Sequence, residues 1–325
     1  MWRKGGVMAL SVLIASSVFV LPTWAAPYPT KPVEILCPYN PGSTMDLLSR
    51  LIADVSRKYL RQPVVVNNKP GAGGTLAAAD VISAKPDGYK LIPLASNYFA
   101  VTVKMQKIPF DPNDLVPVAN FTEYKLGMLV KGDSPWKTFA DLLDYGKKNP
   151  GKLRWSHPSK GSPLNMNPLL IFRKVGIQAI EVPYTGAAEE LAALLGGHLD
   201  AASMTYAGLT DHLKAGTIRY LIFFGDRRYS KLPNVPCALE LGFPEAAKLQ
   251  TFVGLYAHKN TPEEIKNILL DSFKKTYDDP EFQKGCEKYE YEPRFGGPEF
   301  LREEIRKCAE VGIPLLKELG LYVGK

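Results

Sequence analysis

Donor-rich turns, not acid–base pairs, carry the chemistry of this sequence. The stretch Pro38-Tyr-Asn-Pro-Gly-Ser-Thr-Met-Asp46 follows an apolar run at 33–37. It precedes a segment whose apolar residues Leu47, Leu48, Leu51, Ile52 and Val55 recur with helical spacing. Ser43, with Asp46 three residues on, resembles a capping box with the shorter acid. A strand feeding a helix through such a turn leaves the first helical N–H groups unpaired. Those donors, with the positive end of the helix dipole, suit a carboxylate or a phosphate. An ordinary turn capped by its own serine reads the same way, so the turn alone establishes no ligand.

Other chemistries find less support. Gly71-Ala-Gly-Gly-Thr75 lacks the G-x-G-x-x-G spacing of a dinucleotide site and follows the second strand, not the first. His157, His198, His212 and His258 show no local metal-ligand spacing, so neither cofactor nor metal is expected. Asp46 beside Ser43 or Thr44 has no histidine motif to complete a hydrolase, and reads as a cap or a water-holding group. Cys37, Cys237, Cys286 and Cys308 are too few and too scattered for a disulfide framework or a zinc site. Cys286 and Cys308 could meet between two late helices, a pairing that sequence leaves open.

The elements that must position the turns come next. The chain of 325 residues suffices for two domains of ordinary size or one large one, and its 46% apolar content is that of a soluble globular protein. Arg3 and Lys4, the apolar run 7–21 and Thr23-Trp24-Ala25 form the three parts of a secretory signal peptide covering residues 1–25, which predicts a periplasmic protein. Without Arg3 and Lys4 the formal charge falls from +7 to +5, 38 basic minus 33 acidic. The remaining charges interleave, as in Glu303-Glu304-Ile-Arg306-Lys307, and describe a solvated surface with no nucleic-acid partner. Apolar strands are expected at 33–37, 64–66, 91–95, 153–156, 180–183, 200–204, 220–224 and 252–257, with helical patterns between them. This alternation predicts two α/β units with parallel sheets, whose Gly/Ser/Asn turns lie at the carboxyl ends of the strands where ligands bind. The loop 157–165 is expected to precede a helix, Tyr184-Thr-Gly186 to open another, and Thr261-Pro-Glu-Glu264 to start a third with a capping box and proline at its first position.

Six motifs then appear in the order and spacing of one family: Tyr28-Pro-x-Lys-Pro-Val, Pro38-Tyr-x-Pro-Gly, Asn67-x-Lys-Pro-Gly-Ala-Gly-Gly, Pro86-Asp-Gly-Tyr89, Val182-Pro-Tyr-x-Gly186 and Leu194-Leu-Gly-Gly-His-Leu-Asp200. From about Tyr28 to its end the chain resembles the periplasmic solute-binding proteins of tripartite tricarboxylate transporters, the Bug family. The resemblance implies an α/β, two-domain type II periplasmic binding protein, a "Venus flytrap" with the ligand in the interdomain cleft. Domain one would be 27–125 plus 251–325, and domain two 126–250. It implies capture of a small organic carboxylate, delivery to cognate membrane subunits, and no catalysis. Carried over by position, the gripping residues are Tyr39, Asn40, Gly42, Ser43, Thr44 and Asp46 in the first turn, joined by Gly73, Gly74, Ser96 and Asn97. Lys160, Gly161, Ser162 and Asn165, with Thr185 and Gly186, answer from domain two.

The departures from the family pattern bear on the ligand. Gly42-Ser-Thr-Met-Asp46 stands where Gly-Gly-Gly-Thr-Asp is frequent, Asn165 replaces a common histidine, and Met204-Thr205 replaces a frequent Asp-Asn pair. Loss of that acid disfavours an amino acid. Met204, Tyr206, Tyr39 and Tyr98 either line a more apolar pocket or pack in the core. Lys160 either reaches a second carboxylate or stays solvated. Two further readings stay open at this point: an exported α/β enzyme acting on a carboxylate in the same cleft, and a carboxylate-sensing receptor subunit.

Overall fold

The structure, a computed structural model, describes residues 28–184 and 186–323, so the expected signal peptide and Thr185 lie outside the described residues. The first stretch contains β1 (Val33–Cys37), α1 (Thr44–Leu60), β2 (Val64–Asn68), α2 (Thr75–Ser83), β3 (Lys90–Ala95), α3 (Ser96–Ala100) and β4 (Leu115–Tyr124). The middle stretch contains β5 (Leu126–Lys131), α4 (Phe139–Lys148), β6 (Arg154–His157), α5 (Pro163–Val175), β7 (Ile180–Pro183), α6 (Ala187–Leu195), β8 (Ala201–Thr205), α7 (Thr210–Lys214), β9 (Ile218–Phe224) and α8 (Pro244–Lys248). The chain then returns through β10 (Thr251–His258), α9 (Glu263–Asp278), α10 (Pro280–Lys288), β11 (Glu292–Gly296) and α11 (Pro298–Glu318).

Two sheets result, one of order β11-β4-β10-β3-β1-β2 and one of order β7-β6-β8-β5-β9. The expectation of parallel sheets needs correction, because both are mixed. β1 runs parallel to β2 and β3, and β6 to β7 and β8. β10, however, returns antiparallel between β3 and β4, β11 pairs antiparallel with β4, and β5 lies antiparallel between β8 and β9. The chain therefore crosses between sheets at Lys125, joining β4 to β5, and again just before Thr251, which pairs with Tyr124.

The predicted apolar runs form the cores. Val33, Ile35 and Cys37 of β1 are buried under Leu48, Ile52 and Val55, the helical stripe of α1, with Phe121, Phe273 and Phe282 completing the cluster. Each such fully buried side chain contributes about 1.5–3 kcal/mol from area burial. In the second sheet Trp155, Ile171, Phe172 and Phe139 play the same part. A further cluster joins the two lobes: Met166 of α5 and Leu249 pack with Val101, Cys308, Leu315 and Leu316, so α11 spans both. Arg173–Glu318 and Lys248–Glu310 ion pairs, each 2.6 Å, flank this contact.

Two local expectations fail. α9 has Pro262 at its N-cap and no side-chain cap, with Thr261 buried one residue too early to reach the helix start. α5 begins at Pro163, so Asn165 lies in its first turn and not in the preceding loop. Cys37, Cys237, Cys286 and Cys308 are buried and unpaired. Cys286 packs in the first-sheet core and Cys308 in the α11 cluster, and burial pushes both thiols up to about 12.

Candidate functional site

The two sheets present matching loops. In each, a strand ends at a proline, the chain turns through a glycine and a serine, and a helix starts: β1–Pro38…Gly42-Ser43–α1 and β6–Pro158…Gly161-Ser162–α5. Gly42 has φ +81° and Gly161 φ +74°, backbone that side-chain-bearing residues avoid. That conformation turns each glycine N–H back onto the first helical turn. The Gly42 N–H donates to Asp46 Oδ2 at 2.8 Å, and the Gly161 N–H to Asn165 Oδ1 at 2.9 Å. Asp46 also accepts from Arg50 Nε at 3.0 Å and Asn68 Nδ2 at 2.8 Å. Burial raises its pKa, but these bonds outweigh that and hold it below the usual carboxylate range. Asn165 Nδ2 donates to Glu181 Oε1 at 3.0 Å, and the same oxygen lies 2.8 Å from Nε2 of the buried His157.

The helix starts differ in how they are capped. Ser43 Oγ accepts the Asp46 N–H at 3.3 Å. Ser162 makes no cap, because its hydroxyl donates to the Ser159 carbonyl at 2.7 Å, and Gly74 at the start of α2 has no side chain to offer. α4, whose start lines neither cavity, carries a complete Thr138–Asp141 capping box. The first N–H groups of α2 and α5 thus lack a side-chain acceptor.

Between the matched loops lies a cavity of about 330 Å³, lined by Tyr39, Ser43, Thr44, Met45, Ala95, Asn97, Tyr124, Leu126, Ser162, Pro163, Leu164, Thr205 and Thr251. Among the described residues no charged side chain lines it. Hydroxyls and one carboxamide line it together with apolar side chains. A second cavity of about 270 Å³ shares Asn97 and Ser162 with the first, and adds Gly73, Val101, Thr102, Met105, Gln106, Ser159, Lys160 and Gly161. Among the described residues no group of three His, Cys, Asp or Glu is placed to hold a metal, and no helix is long and apolar enough to cross a membrane.

Tyr39, Ser43, Thr44, Asn97, Ser162 and Thr205 line the cleft, and Gly73, Lys160 and Gly161 line the adjoining cavity. Several residues expected to grip do something else. Asp46 and Asn165 are buried and consumed in clamping their loops. Ser96 is buried, its hydroxyl accepting the Phe252 N–H at 3.1 Å. Gly74 is buried, and a β-carbon there would lie 3.4 Å from Pro38. Met204 belongs to the second-lobe core with Leu129, Tyr220 and Tyr229, because alternation along β8 turns it away as it turns Thr205 to the cleft. Tyr98 is likewise in a core cluster. Asn40, Gly42 and Gly186 line neither cavity.

Sequence reasoning missed Tyr124, Leu126 and Thr251, which flank the crossings, as well as Met45, Leu164, Thr102 and Met105. The crossings themselves were the available signal, since a strand passing between two lobes must border the space between them.

Residues 48–321 match the family described as tripartite tricarboxylate transporter family receptor. A Cupriavidus necator relative, the UPF0065 protein in gbd 5' region, is 32% identical over 320 residues, covering 98% of this chain and 96% of its own length. A ligand-free TctC solute binding protein from Polaromonas is similar with a TM-score of 0.79 at 28% identity, covering 89% of this chain and 99% of that one. An R. palustris protein solved with adipate has a TM-score of 0.74 at 25% identity, covering 90% and 98%. MatC from Rhodopseudomonas palustris, with bound malate, has a TM-score of 0.67 at 28% identity, covering 88% and 100%.

Proposed function

The chain belongs to the tripartite tricarboxylate transporter receptor family, and from that premise we propose that it captures a small organic carboxylate in its cleft and delivers it to the membrane subunits of such a transporter. Family and fold are those of solute-binding receptors, not enzymes. The observation that carries the reading is the cleft lining: the serines of two helix starts, Ser43 and Ser162, beside apolar side chains, with no charged side chain among the described residues. Unpaired N–H groups at the α5 start, with the hydroxyls of Ser43, Thr44, Ser162 and Thr205, suit one carboxylate without a buried counter-charge.

The body of that ligand meets Tyr39, Met45, Tyr124, Leu126 and Leu164. Among the described residues no acid lines this cavity to pair an ammonium, so an aliphatic or aromatic acid is favoured over an amino acid there. This preference rests on those residues and not on Met204. Thr185 and Gly186, which precede α6 in the sequence, are assigned to the second-lobe side of the grip by their place in the family motif. Relatives of similar structure were solved with adipate and malate, which supports the choice of carboxylate. Export to the periplasm after removal of residues 1–25, and domains of 27–125 plus 251–325 and 126–250, complete the proposal.

A thermal-shift panel of carboxylic acids on the purified chain lacking residues 1–25 tests it. Ligand at a hundredfold excess over Kd stabilises by about 2.7 kcal/mol. The bound acid is expected back unchanged after incubation. A panel in which no acid shifts the transition, or in which the acid is consumed, defeats the reading.

A further inference from the structure

A carboxylate that lines neither cavity holds the second-lobe loop. Glu181 lies on β7, the edge strand of the second sheet, opposite Trp155 of β6 in register, so it shares a sheet face with its diagonal neighbour His157. Glu181 Oε1 lies 2.8 Å from His157 Nε2 and accepts from Asn165 Nδ2 at 3.0 Å. A carboxylate oxygen accepts, so both partners donate to it. His157 is fully buried beside Trp155, with ring centroids 5.5 Å apart, and its Nδ1 has no partner among the described residues. One acid oxygen thus orients both the ring and the carboxamide.

With its Nδ2 held by Glu181, the Asn165 carboxamide turns its oxygen to the loop, where Oδ1 accepts the Gly161 N–H at 2.9 Å. The donors of the α5 start follow from that. Pro163 has no N–H, and the Asn165 and Met166 N–H groups donate to the Ser162 carbonyl at 2.9 and 2.8 Å. The Leu164 N–H is left without an acceptor among the described residues, and both Leu164 and Ser162 line the cleft. The first lobe meets the same need with the opposite polarity. There an acid, Asp46, takes the glycine N–H, and Arg50 and Asn68 donate to it.

We infer that Glu181 is a positioning residue for the cleft: acting through Asn165 and Gly161, it aims the Leu164 N–H and Ser162 at the ligand. Glu181, His157 and Asn165 line neither cavity, so they act on the ligand only through the groups they hold. The inference rests on the cleft being a carboxylate site, and deepens that reading by naming what keeps its second-lobe donor in place.

Calorimetry with the acids of the thermal-shift panel, adipate and malate among them, tests it on the wild type, Glu181→Met, Glu181→Gln, Asn165→Asp and the double variant Asn165→Asp/Glu181→Gln. Urea denaturation of each variant gives its folded fraction, so that lost stability is not counted as lost affinity. Glu181→Met removes the oxygen that holds Asn165 and should weaken binding about tenfold, the order of one hydrogen bond to a charged group. Loss of an acid acting only through its charge would instead strengthen the binding of an anion, so the direction separates the two. Glu181→Gln keeps an acceptor oxygen and should recover most of that loss. Asn165→Asp sets two carboxylates against each other and should weaken binding at least as much as Glu181→Met. In the double variant the new amide donates to the new carboxylate, the polarity of the bond is reversed, and affinity should return to within about threefold of the wild type. Glu181 is partly exposed on an edge strand, so its two single variants decide the matter if Asn165→Asp does not fold. Unchanged or tighter binding in Glu181→Met, or a folded double variant that binds no better than Asn165→Asp, overturns this inference alone. A wild type that binds no acid overturns the carboxylate reading and this inference together.

Discussion

At the scale of single residues, the site is held by groups that do not face it. Asp46 and Asn165 hold equivalent places in the two loops, each reaching back four residues to a left-handed glycine. Their positions were legible in the sequence, but their role was not. A polar side chain in the first turn of a helix can serve a ligand or its own backbone, and only the glycine's conformation decides between them. Asp46→Ala is therefore expected to cost about 1–3 kcal/mol in urea denaturation, since it removes the buried acceptor shared by the Gly42 N–H, Arg50 Nε and Asn68 Nδ2. Ser43→Ala should cost only about 0.5–2 kcal/mol, the worth of a cap. Glu190 offers a separate test. It is fully buried on α6, with Oε1 accepting the Ser156 hydroxyl at 2.7 Å and Oε2 unpartnered. Burial pushes its pKa from 4.5 up to about 7, against the lowering effect of bonds from Ser156 and Ser203. Because the folded state holds this proton more tightly, its contribution is complete below the unfolded value near 4.5. The contribution is lost as pH rises through about 7. The loss is on the order of 3 kcal/mol, and Glu190→Gln should flatten that part of the stability–pH curve. A Glu190→Gln variant whose stability falls as steeply as that of the wild type across this range would place the titration elsewhere.

At the scale of elements, what could be read was each short apolar strand; β1, β2, β3, β6, β7, β8, β9 and β10 fall within a few residues of expectation. What could not be read were β4, β5 and β11. In β4 the polar Asn120, Thr122 and Glu123 are all buried, so the strand shows neither alternation nor a continuous apolar run. Their partners come from distant segments: Asn120 donates to the Arg294 carbonyl at 2.6 Å. The Met204–Thr205 pair carries the same lesson. Neighbours on a strand face opposite ways, and a one-residue uncertainty in register exchanges core for cleft. Met204→Asp would consequently unfold the second-lobe core and not repel the ligand. The two loop glycines give a sharper test. Both have positive φ, but a β-carbon at Gly42 meets nothing within 4 Å, whereas at Gly161 it meets Met105 Cε at 2.7 Å. Gly42→Ala should thus cost roughly 1–2 kcal/mol of stability from backbone strain alone. Gly161→Ala should cost a similar amount and also displace the flexible thioether end of Met105, which lines the adjoining cavity. The expected result is a loss of ligand affinity for Gly161→Ala beyond that for Gly42→Ala; equal losses from the two would mean that the loop contact plays no part in binding.

At the scale of the whole molecule, the crossings at Lys125 and Thr251 suggest a hinge, yet the lobes also touch on either side of it. On one side α11 packs against α5. On the other, Glu123 of β4 is 1% exposed and pairs with Lys125, with Arg227 at 2.9 Å and with Arg294 at 3.2 Å. Arg227 comes from the middle stretch of the chain, as does Ser230, whose hydroxyl donates to Glu292 Oε2 at 3.0 Å; the Gly208 N–H donates to Glu290 Oε2 at 2.8 Å. Burial raises the Glu123 pKa, but Lys125 and Arg227 more than offset it, so the carboxylate stays charged. Removing Glu123 would leave the Lys125 ammonium, 3% exposed, without its partner; Glu123→Gln should destabilise by about 3–5 kcal/mol. Arg227 is different. Its side chain is 42% exposed, and Glu123 keeps Lys125 and Arg294 when it is gone, so Arg227→Met should cost about 1 kcal/mol or less. What it loses is a tie between lobes. If ligand binds the closed arrangement, a smaller closed population in the free protein weakens apparent affinity by the same factor. Small-angle scattering of ligand-free Arg227→Met should therefore give larger dimensions than ligand-free wild type, with the two converging at saturating ligand and the variant needing more ligand to get there. Identical dimensions and identical affinity in variant and wild type would show that the Glu123 cluster stabilises the fold without taking part in closure.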